Sequence, residues 1–259
     1  MEKERIPLRD GTLIYGHENE YITEVIKSTR DYYEIRDLKF FSKYVPNEPI
    51  IYDIGSNIGN HTIYFLKYYR AKKVFAFEPV PENADLLELN MRVNGFTNVE
   101  IIRSAVGSRI GHADIIVNKQ NMGGCKIIEN PEGEIGVVSL DKLKLDKPDF
   151  IKIDVEGFEI EVLKGMTDLL QLSSPVIWIE INNHFHEVDE FFENYSYELI
   201  AKLNFNHIYI KCDNEQQRMN VLREFKKNIV LELNQTVLDK WHLSSRLLAE
   251  RKSRMANKE

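Results

Sequence analysis

The sequence of 259 residues has little cysteine, no long apolar run and no excess of positive charge. Cys125 and Cys212 are far apart and form no CxxC pair, which argues against a disulfide framework and a structural zinc site and favours a reducing cytoplasm. The net charge of −7 argues against a general nucleic-acid partner. No apolar segment approaches the length of a membrane span, and the N-terminus lacks the apolar core of a signal peptide. We therefore expect a cytoplasmic protein with no nucleic-acid partner and no membrane span.

The distribution of apolar residues predicts an α/β fold. Apolar residues make up 43% and charged residues 29% of the chain, as in soluble globular proteins. Strand-like apolar segments alternate with helical segments over about 49–205, which indicates a doubly wound, mostly parallel sheet with helices on both faces. The near-continuous apolar character of the strands agrees, because a parallel sheet is covered on both sides.

The predicted elements define three regions. The main domain is expected at 49–234, after an N-terminal extension at 1–48 that is a candidate lid and before a C-terminal helical tail at 235–259. The predicted strands are 49–55, 72–79, 98–107, 112–118, 134–140, 149–157 and 175–183, with weaker candidates at 206–211 and 228–233, and the predicted helices are 60–70, 81–95, 158–170 and 188–205. The extension contains a short predicted strand, "GTLIYG", and helical stretches.

The segment "IYDIGSNIGN" (51–60) predicts a ligand-binding turn between the first of these strands and the following helix. Ligands of open α/β sheets bind at the carboxyl ends of strands, glycine permits a close backbone approach, and free N–H groups at a helix start bind anions. One strand–helix–strand unit later, Glu78 ends the next strand, where an acid can accept hydrogen bonds from both hydroxyls of a ribose. We predict a nucleoside-containing cofactor bound by Asp53, Gly55, Asn57, Gly59 and Glu78. Taken alone, the turn is equally compatible with simple packing of helix on strand.

The spacing of the turn separates two classes of cofactor. Dinucleotide-binding turns have the pattern GxGxxG, whereas here three residues separate Gly55 and Gly59, and Asn57 stands where a middle glycine would be. A side chain there does not suit close approach to a pyrophosphate but tolerates a smaller ligand with an amino-acid tail, such as S-adenosylmethionine (SAM).

Five segments together resemble the FkbM-type methyltransferases in order and spacing, over about residues 30–182: "YDIGSNIGNHTIYF", "VFAFEPVPEN", "SAVG", "VSLDKL" and "FIKIDVEGFEIEVLKG". The resemblance implies a Rossmann-like class I methyltransferase fold, SAM as the cofactor, and transfer of a methyl group to a hydroxyl of a sugar, glycan or small natural product. It also implies that Gly55 and Gly59 flank the methionine part of SAM, that Glu78 takes the ribose hydroxyls, that Ser104 and Ala105 lie beside the adenine, and that Asp154 lies near the reacting methyl.

Methyl transfer to an alcohol needs alignment of the oxygen with the methyl carbon and benefits from a base. Asp154 and Glu156 follow the apolar run "FIKI", and their proximity can raise one pKa towards a useful range. The same pair could hold a divalent cation, but we favour a metal-free base. Capping of the following helix is the alternative role for Glu156 and for Glu159.

The acceptor is expected at the end of the last predicted parallel strand, where Glu180, Asn182, Asn183, His184 and His186 follow one another. We predict that His184 is a catalytic base, because histidine titrates near neutrality, although an exposed histidine loop is the simpler interpretation. The loop "QNMGGCKI" (120–127), around Gly123, is a candidate wall of the same pocket or a plain hairpin turn. His61 is a candidate cofactor contact or a residue that packs at the helix start.

We therefore predict a SAM-dependent O-methyltransferase, and a homo-oligomer is a candidate state of this enzyme. Two rival functions remain. A nucleotide-dependent oxidoreductase would share the sheet, but the missing GxGxxG and the "KIDVEG" segment argue against it. A catalytically idle SAM-binding interaction module is the second rival, which the presence of Asp154 and Glu78 makes less attractive.

Overall fold

The computed structural model describes residues 3–116 and 126–228. The strands are β1 (Lys3–Pro7), β2 (Leu13–His17), β3 (Ile50–Ile54), β4 (Lys73–Phe77), β5 (Val99–Ile102), β6 (Ala105–Val106), β7 (Gly111–Ile116), β8 (Lys126–Glu129), β9 (Ile135–Val138), β10 (Phe150–Ile153), β11 (Val176–Glu180), β12 (Tyr197–Leu203) and β13 (Asn206–Lys211). The helices are α1 (Tyr21–Thr29), α2 (Ile35–Phe41), α3 (Asn60–Lys67), α4 (Pro81–Val93), α5 (Glu159–Lys164), α6 (Thr167–Leu172) and α7 (Phe185–Asn194), and residues 215–228 are also helical. None of the helices in these ranges is long and apolar enough to cross a membrane.

The main sheet is doubly wound, as the sequence predicts. Its strand order is β12-β13-β11-β10-β3-β4-β5, and β13 runs antiparallel to both of its neighbours while the strands from β11 to β5 are parallel. The chain proceeds from the central β3 outward to β4 and β5, and then returns to β10 on the other side of β3. This reversal creates a crevice at the carboxyl ends of β3 and β10, where open α/β sheets bind ligands.

Both faces of the main sheet are buried, which explains why its central strands are apolar almost throughout. One face carries residues such as Ile51 and Phe150 and is covered by α1–α4 and the N-terminal hairpin. The opposite face carries residues such as Ile151 and Ile153 and is covered by α5–α7. The predicted layering of helices on both faces is therefore confirmed.

The N-terminal extension is fastened to the main domain by asparagines of α4. The predicted strand in "GTLIYG" is β2, which pairs antiparallel with β1. The Asn90 amide accepts a hydrogen bond from the Tyr15 backbone N–H at 2.7 Å and donates to the Tyr15 and Ile58 carbonyls at 2.9 and 2.8 Å. Asn94 bonds the backbone N–H and carbonyl of Leu13 in the same way, at 2.9 and 2.7 Å. The edge of the hairpin is thus satisfied by side chains of a helix rather than by another strand.

Three predicted elements are wrong in extent. The helix predicted over 158–170 is two short helices, α5 and α6, because α5 ends at Gly165, whose N–H caps it. The segment predicted as one helix over 188–205 is α7 followed by β12, because the chain turns at Ser196 with a φ of 61° and then pairs with β13. The strand predicted over 98–107 divides into β5 and β6, since the chain leaves the main sheet after Ile102. β6 instead joins a smaller sheet of order β6-β9-β7-β8.

Other predictions fall on segments outside the described residues. These are the loop around Gly123, apart from its last two residues at the start of β8, the C-terminal tail at 235–259, and the strand at 228–233 except for residue 228, which is helical.

Replacement of Asn90 by alanine is expected to lower the free energy of unfolding by about 2–4 kcal/mol. The change leaves buried backbone groups of Tyr15 and Ile58 without partners, and each such group costs about 1–3 kcal/mol. Denaturant titration measures the effect. The exposed Asn220→Ala serves as the matched control and should change stability by less than about 0.5 kcal/mol. Equal stability of the two variants would show that α4 does not hold the hairpin.

Candidate active site

A pocket lies at the carboxyl ends of β3, β4, β10 and β11, beside the crevice between β3 and β10. The loops that follow these strands form its floor, and the N-terminal segment and the smaller sheet complete its walls. Of the predicted site residues, the pocket is lined by Gly55, Asn57, Glu78, Ser104, Ala105, Asp154 and Glu156. Asp53, Gly59 and His184 are not among the lining residues.

The two glycines of the turn are required by contacts within the protein. Gly55 has a φ of 82°, and a Cβ at this position would overlap the carbonyl oxygen of Asp154, which belongs to the loop after β10. Gly59 has a φ of 86°, and its Cβ would press against Leu87 of α4. Gly55 thus allows the loops after β3 and β10 to lie in contact, and Gly59 allows the start of α3 to pack against α4. Their predicted contact with a cofactor stays a prediction.

Glu78 connects the glycine turn to the loop after β4. Its side chain is buried, with Oε2 accepting a hydrogen bond from the Asn57 N–H at 2.7 Å and Oε1 accepting from the Val80 N–H at 2.9 Å. Burial raises the pKa of Glu78 to about 7, although these hydrogen bonds act to lower it. The Asn83 side chain also hydrogen-bonds this carboxylate, so hydroxyl donors from a ligand in the pocket would use the remaining lone pairs or displace Asn83.

Asp53 lies beneath the pocket rather than in its wall. The side chain is fully buried, and its Oδ2 accepts a hydrogen bond of 2.5 Å from the Thr62 hydroxyl on α3. Its Oδ1 is buried without a hydrogen-bond partner. A direct contact between Asp53 and a cofactor stays a prediction.

Lys152 is a site residue to which the sequence analysis gave no role. Only 1% of the residue is exposed, and its Nζ donates a hydrogen bond to Asp154 Oδ2 at 2.9 Å. Burial alone lowers the pKa of Lys152, but the negative charges of Asp154 and Asp53 outweigh burial and raise it. The sequence did contain a signal for this role, namely a lysine inside the apolar run "FIKI". A lysine that is buried with such a run requires a charged partner.

Acids from the neighbouring strands lie on the same side of the sheet as Lys152. It pairs in register with Asp53 on β3 and Trp178 on β11, so these three side chains project from the same face of the sheet. Asp154 and Glu180 follow two residues after Lys152 and Trp178, and both line the pocket. Side-chain alternation therefore places an acid from each strand end above the buried lysine.

Glu180 and Glu156 carry raised pKa values at this end of the pocket. Burial, followed by the negative charges of Asp154 and Glu34, raises the pKa of Glu180 to about 8. Burial and then the charges of Asp154 and Glu159 raise the pKa of Glu156, which has a φ of 50° where the chain turns away from β10. Glu159 accepts a hydrogen bond from the Gly157 N–H at 2.8 Å at the start of α5, which is the capping role considered as its alternative.

The two histidines differ in their placement. The His184 side chain is 62% exposed, and its Nδ1 lies 3.6 Å from Glu187 Oε2 on the surface of α7. Its role as a base stays a prediction without a contact to the pocket. His61, by contrast, lines the pocket, with Nε2 3.3 Å from Glu34 Oε2. Within the two described ranges, no three His, Cys, Asp or Glu side chains are grouped so that they could hold a metal ion.

The opposite end of the pocket is apolar. Ala105 and Val106 of β6 form part of it, and Ile115 and Ile127 reach it from β7 and β8 of the smaller sheet. Ser104 supplies a polar group at the same end. Such a surface suits a flat, largely apolar ring system held by few polar contacts.

The residues present fit SAM along the length of the pocket. The apolar end suits an adenine, Glu78 in the middle suits the two hydroxyls of a ribose, and the acids at the far end suit a group that carries positive charge. The chemistry of this donor set, rather than any single residue, makes the pocket suitable for a cationic nucleoside.

Comparisons with known proteins agree with this chemistry. The family model of the methyltransferase FkbM domain matches residues 53–199. The hexuronic acid methyltransferase AglP of Haloferax volcanii is 32% identical over 170 residues, which are 61% of this chain and 69% of that protein. The methyltransferase sdnD of Sordaria araneosa is 26% identical, with 48% of this chain and 62% of that protein covered, so the chain spans less than two thirds of its length. A crystal structure of methyltransferase FkbM from Methylobacillus flagellatus has a TM-score of 0.48 at 18% identity, covering 63% of this chain and 43% of that one.

The stability of the cofactor-free protein is expected to fall as the pH rises from 5 to 8. Asp37, Glu78 and Glu180 have folded-state pKa values raised to about 6, 7 and 8, so the folded protein binds more protons than the unfolded chain in this window. Glu180→Gln should flatten the dependence of the unfolding free energy on pH, measured by denaturant titration at each pH. Glu187→Gln, on the surface of α7, is the control. Parallel pH profiles for wild type and Glu180→Gln would contradict the raised pKa.

Proposed function

The chain belongs to the FkbM family of methyltransferases, and from this premise we propose that it transfers a methyl group to a hydroxyl of a sugar, glycan or small natural product. SAM is the cofactor. When bound, it supplies a methyl group activated on a positively charged sulfur. The observation that carries the proposal is the joint presence in one pocket of Glu78 at its middle and the Lys152–Asp154 ion pair at its acidic end.

The sugar acceptor is supported by the relative with 32% identity, which is named for a hexuronic acid. Two further relatives are named only as methyltransferases, so they support the reaction type but no particular acceptor. Transfer to oxygen, and to a hydroxyl in particular, is our proposal for this chain.

We assign three parts of the pocket to the cofactor. The carboxylate of Glu78 accepts hydrogen bonds from the ribose hydroxyls while it keeps its own bonds to the Asn57 and Val80 N–H groups. Ser104 and Ala105 lie against the adenine. The acids after β10 and β11 face the end of the cofactor that carries positive charge.

Asp154 is assigned to the reacting centre. Its Oδ2 is held by Lys152, which fixes the orientation of the carboxylate and leaves Oδ1 available to the pocket. We propose that Oδ1 accepts a hydrogen bond from a hydroxyl of the acceptor next to the attacking one and so aligns the attacking oxygen for in-line displacement. Such alignment is a large part of what a methyltransferase must supply, because the reaction joins two separately bound groups.

Replacement of Glu78 by alanine should weaken SAM binding about 10–150-fold, since the loss of hydrogen bonds to a charged group costs about 1.5–3 kcal/mol. Isothermal calorimetry with SAM and with S-adenosylhomocysteine measures the change, and NAD should not bind either protein. Glu82→Ala, an exposed acid on α4, is the matched control and should leave the affinity unchanged. A folded Glu78→Ala variant with wild-type SAM affinity would refute the ribose assignment.

Replacement of Asp154 by asparagine should lower kcat about 100-fold or more, which is much more than it weakens SAM binding. The substitution keeps the shape of the side chain but removes the charge that holds Lys152. Because a buried lysine then loses its closest partner, circular dichroism and S-adenosylhomocysteine binding must first establish that the variant folds. Full turnover would make Asp154 a structural residue. Loss of activity with EDTA and its recovery with Mg²⁺ would instead make the acids candidate metal ligands.

The function itself is tested with tritium-labelled SAM and an extract of the native cells. Transfer of label to a sugar-containing product, abolished by boiling the protein, is the expected result. Tight SAM binding without transfer to any fraction of the extract would favour the idle SAM-binding module.

A further inference from the structure

The acidic end of the pocket is closed by a tyrosine from the N-terminal segment. Tyr33 lines the pocket together with Tyr21 of α1, and the two rings meet edge to face with centroids 6.3 Å apart. Tyr33 precedes residue 53, where the match to the family model begins. The family comparison therefore assigns it no role.

Asn60 holds Tyr33 in place by two hydrogen bonds. Its Oδ1 accepts from the Tyr33 backbone N–H at 3.0 Å, and its Nδ2 donates to the Tyr33 carbonyl at 3.1 Å. Asn60 is buried and begins α3 directly after Gly59. The position of the tyrosine is thus set by the same helix start that follows the glycine turn.

The Tyr33 hydroxyl shares its surroundings with the acids of the pocket. Burial raises the pKa of Tyr33, and the negative charges of Glu34, Glu180 and Asp154 raise it further. The hydroxyl therefore keeps its proton throughout the physiological range and is available as a hydrogen-bond donor or acceptor.

Glu180 faces the pocket from the end of β11. Its Oε1 accepts a hydrogen bond from the Asn182 side chain at 3.0 Å. The charged and titratable groups around it are Asp154 and Lys152 from β10 and Glu34 and Tyr33 from the N-terminal segment. The hydrogen bond of Lys152 goes to Asp154, so the Glu180 carboxylate is not held by the buried ammonium.

We propose that Tyr33 and Glu180 form a subsite for the hydroxyl of an uncharged sugar or polyol, in which Glu180 is the base. This rests on the proposed function. The Tyr33 hydroxyl donates a hydrogen bond to a neighbouring oxygen of the acceptor, while Glu180 accepts the proton of the attacking hydroxyl.

The step balances without any further reactant. The bond between the acceptor oxygen and the methyl carbon forms as the bond between that carbon and sulfur breaks, and the electron pair of the broken bond stays on the sulfur. The acceptor proton passes to Glu180, which later releases it to water. The raised pKa of Glu180, about 8, makes it a stronger base than an ordinary carboxylate.

The charges of the pocket select against an acidic acceptor. Asp154, Glu156 and Glu180 line the acidic end, whereas Lys152 is the single Lys or Arg among the described residues that line the pocket. Its ammonium already donates to Asp154. A sugar carboxylate would lie beside Asp154, Glu156 and the deprotonated form of Glu180 that acts as the base, without an available Lys or Arg. An uncharged hydroxyl acceptor is therefore expected here, unlike the hexuronic acid in the name of the relative.

The ligand class is tested by the chemistry of the labelled product. After reaction with tritium-labelled SAM and native-cell extract, the product is treated with mild alkali, which releases volatile methanol from a methyl ester but leaves a methyl ether intact. Alkali-stable label in a product that carries no carboxylate, and that an anion exchanger therefore does not retain, is the expected result; alkali-stable label in an acidic sugar would overturn the uncharged-acceptor assignment. Release of the label as methanol would show transfer to a carboxylate and overturn the uncharged-acceptor assignment, while the proposed methyl transfer would stand. Absence of any labelled product would overturn the proposed function and the subsite with it.

The roles of Tyr33 and Glu180 are tested with the fraction of the cell extract that becomes labelled and therefore contains the acceptor. Glu180→Gln should lower kcat about 100-fold or more at pH 8 and remove the rise of kcat with pH that deprotonation of Glu180 produces. Tyr33→Phe should raise the KM for the acceptor about 3- to 10-fold with a smaller effect on kcat. Both variants should bind S-adenosylhomocysteine within threefold of wild type by calorimetry, which also verifies folding.

The matched controls are Glu187→Gln and Tyr195→Phe, which change residues that do not line the pocket. Both should retain wild-type kcat, acceptor KM and pH profile. A Glu180→Gln variant that keeps the pH-dependent rise would overturn the base assignment, and an unchanged acceptor KM in Tyr33→Phe would remove Tyr33 from the subsite.

Discussion

The buried ion pair of Lys152 is the interaction on which the site depends. A lysine ammonium inside an apolar sheet is unstable unless carboxylates pair with it, and removal of one partner from such a pair typically costs about 3–5 kcal/mol. Asp154 supplies the hydrogen bond, while the charges of Asp53 on β3 and Glu34 on the N-terminal segment act on the same ammonium. Because Asp53 and Glu34 come from other parts of the chain, the full set of negative charges around Lys152 is assembled only when the sheet and the extension are both in place. The ion pair then determines which carboxylates are left to face a ligand.

A second constraint brings the strand ends close enough to share one pocket. The carbonyl oxygen of Asp154 occupies the space that a side chain at position 55 would need, so glycine is a condition for the contact between the two loops. On the other side of the turn, the N–H of Asn57 donates to Glu78. The loops after β3, β4 and β10 are therefore joined by short-range contacts. A ligand that spans them meets a floor that is already assembled.

The N-terminal extension contributes to the pocket through polar contacts with α3 and α4. Asn60 holds Tyr33 over the acidic end, and the Asn83 amide lies 2.9 Å from the His17 ring at the end of β2. Asn90 satisfies the backbone of the hairpin. The helices that follow the glycine turn thus also position the wall opposite it. Both sides of the pocket therefore depend on the same two helices.

The sequence alone determined the doubly wound sheet and the family, and it located Glu78 and Asp154 at strand ends that line the pocket, because apolar periodicity and glycine spacing are local properties of the chain. It did not determine the turn from α7 to β12, which is decided by pairing with β13, nor the departure of β6 to a second sheet. The importance of Lys152 and Tyr33 emerged only from the tertiary structure, as did the raised pKa of Glu180, which the sequence had already located at the expected acceptor end. Their charges and pKa values depend on burial and on carboxylates from distant segments, and the exposure of His184 likewise depends on how α7 begins against the completed sheet.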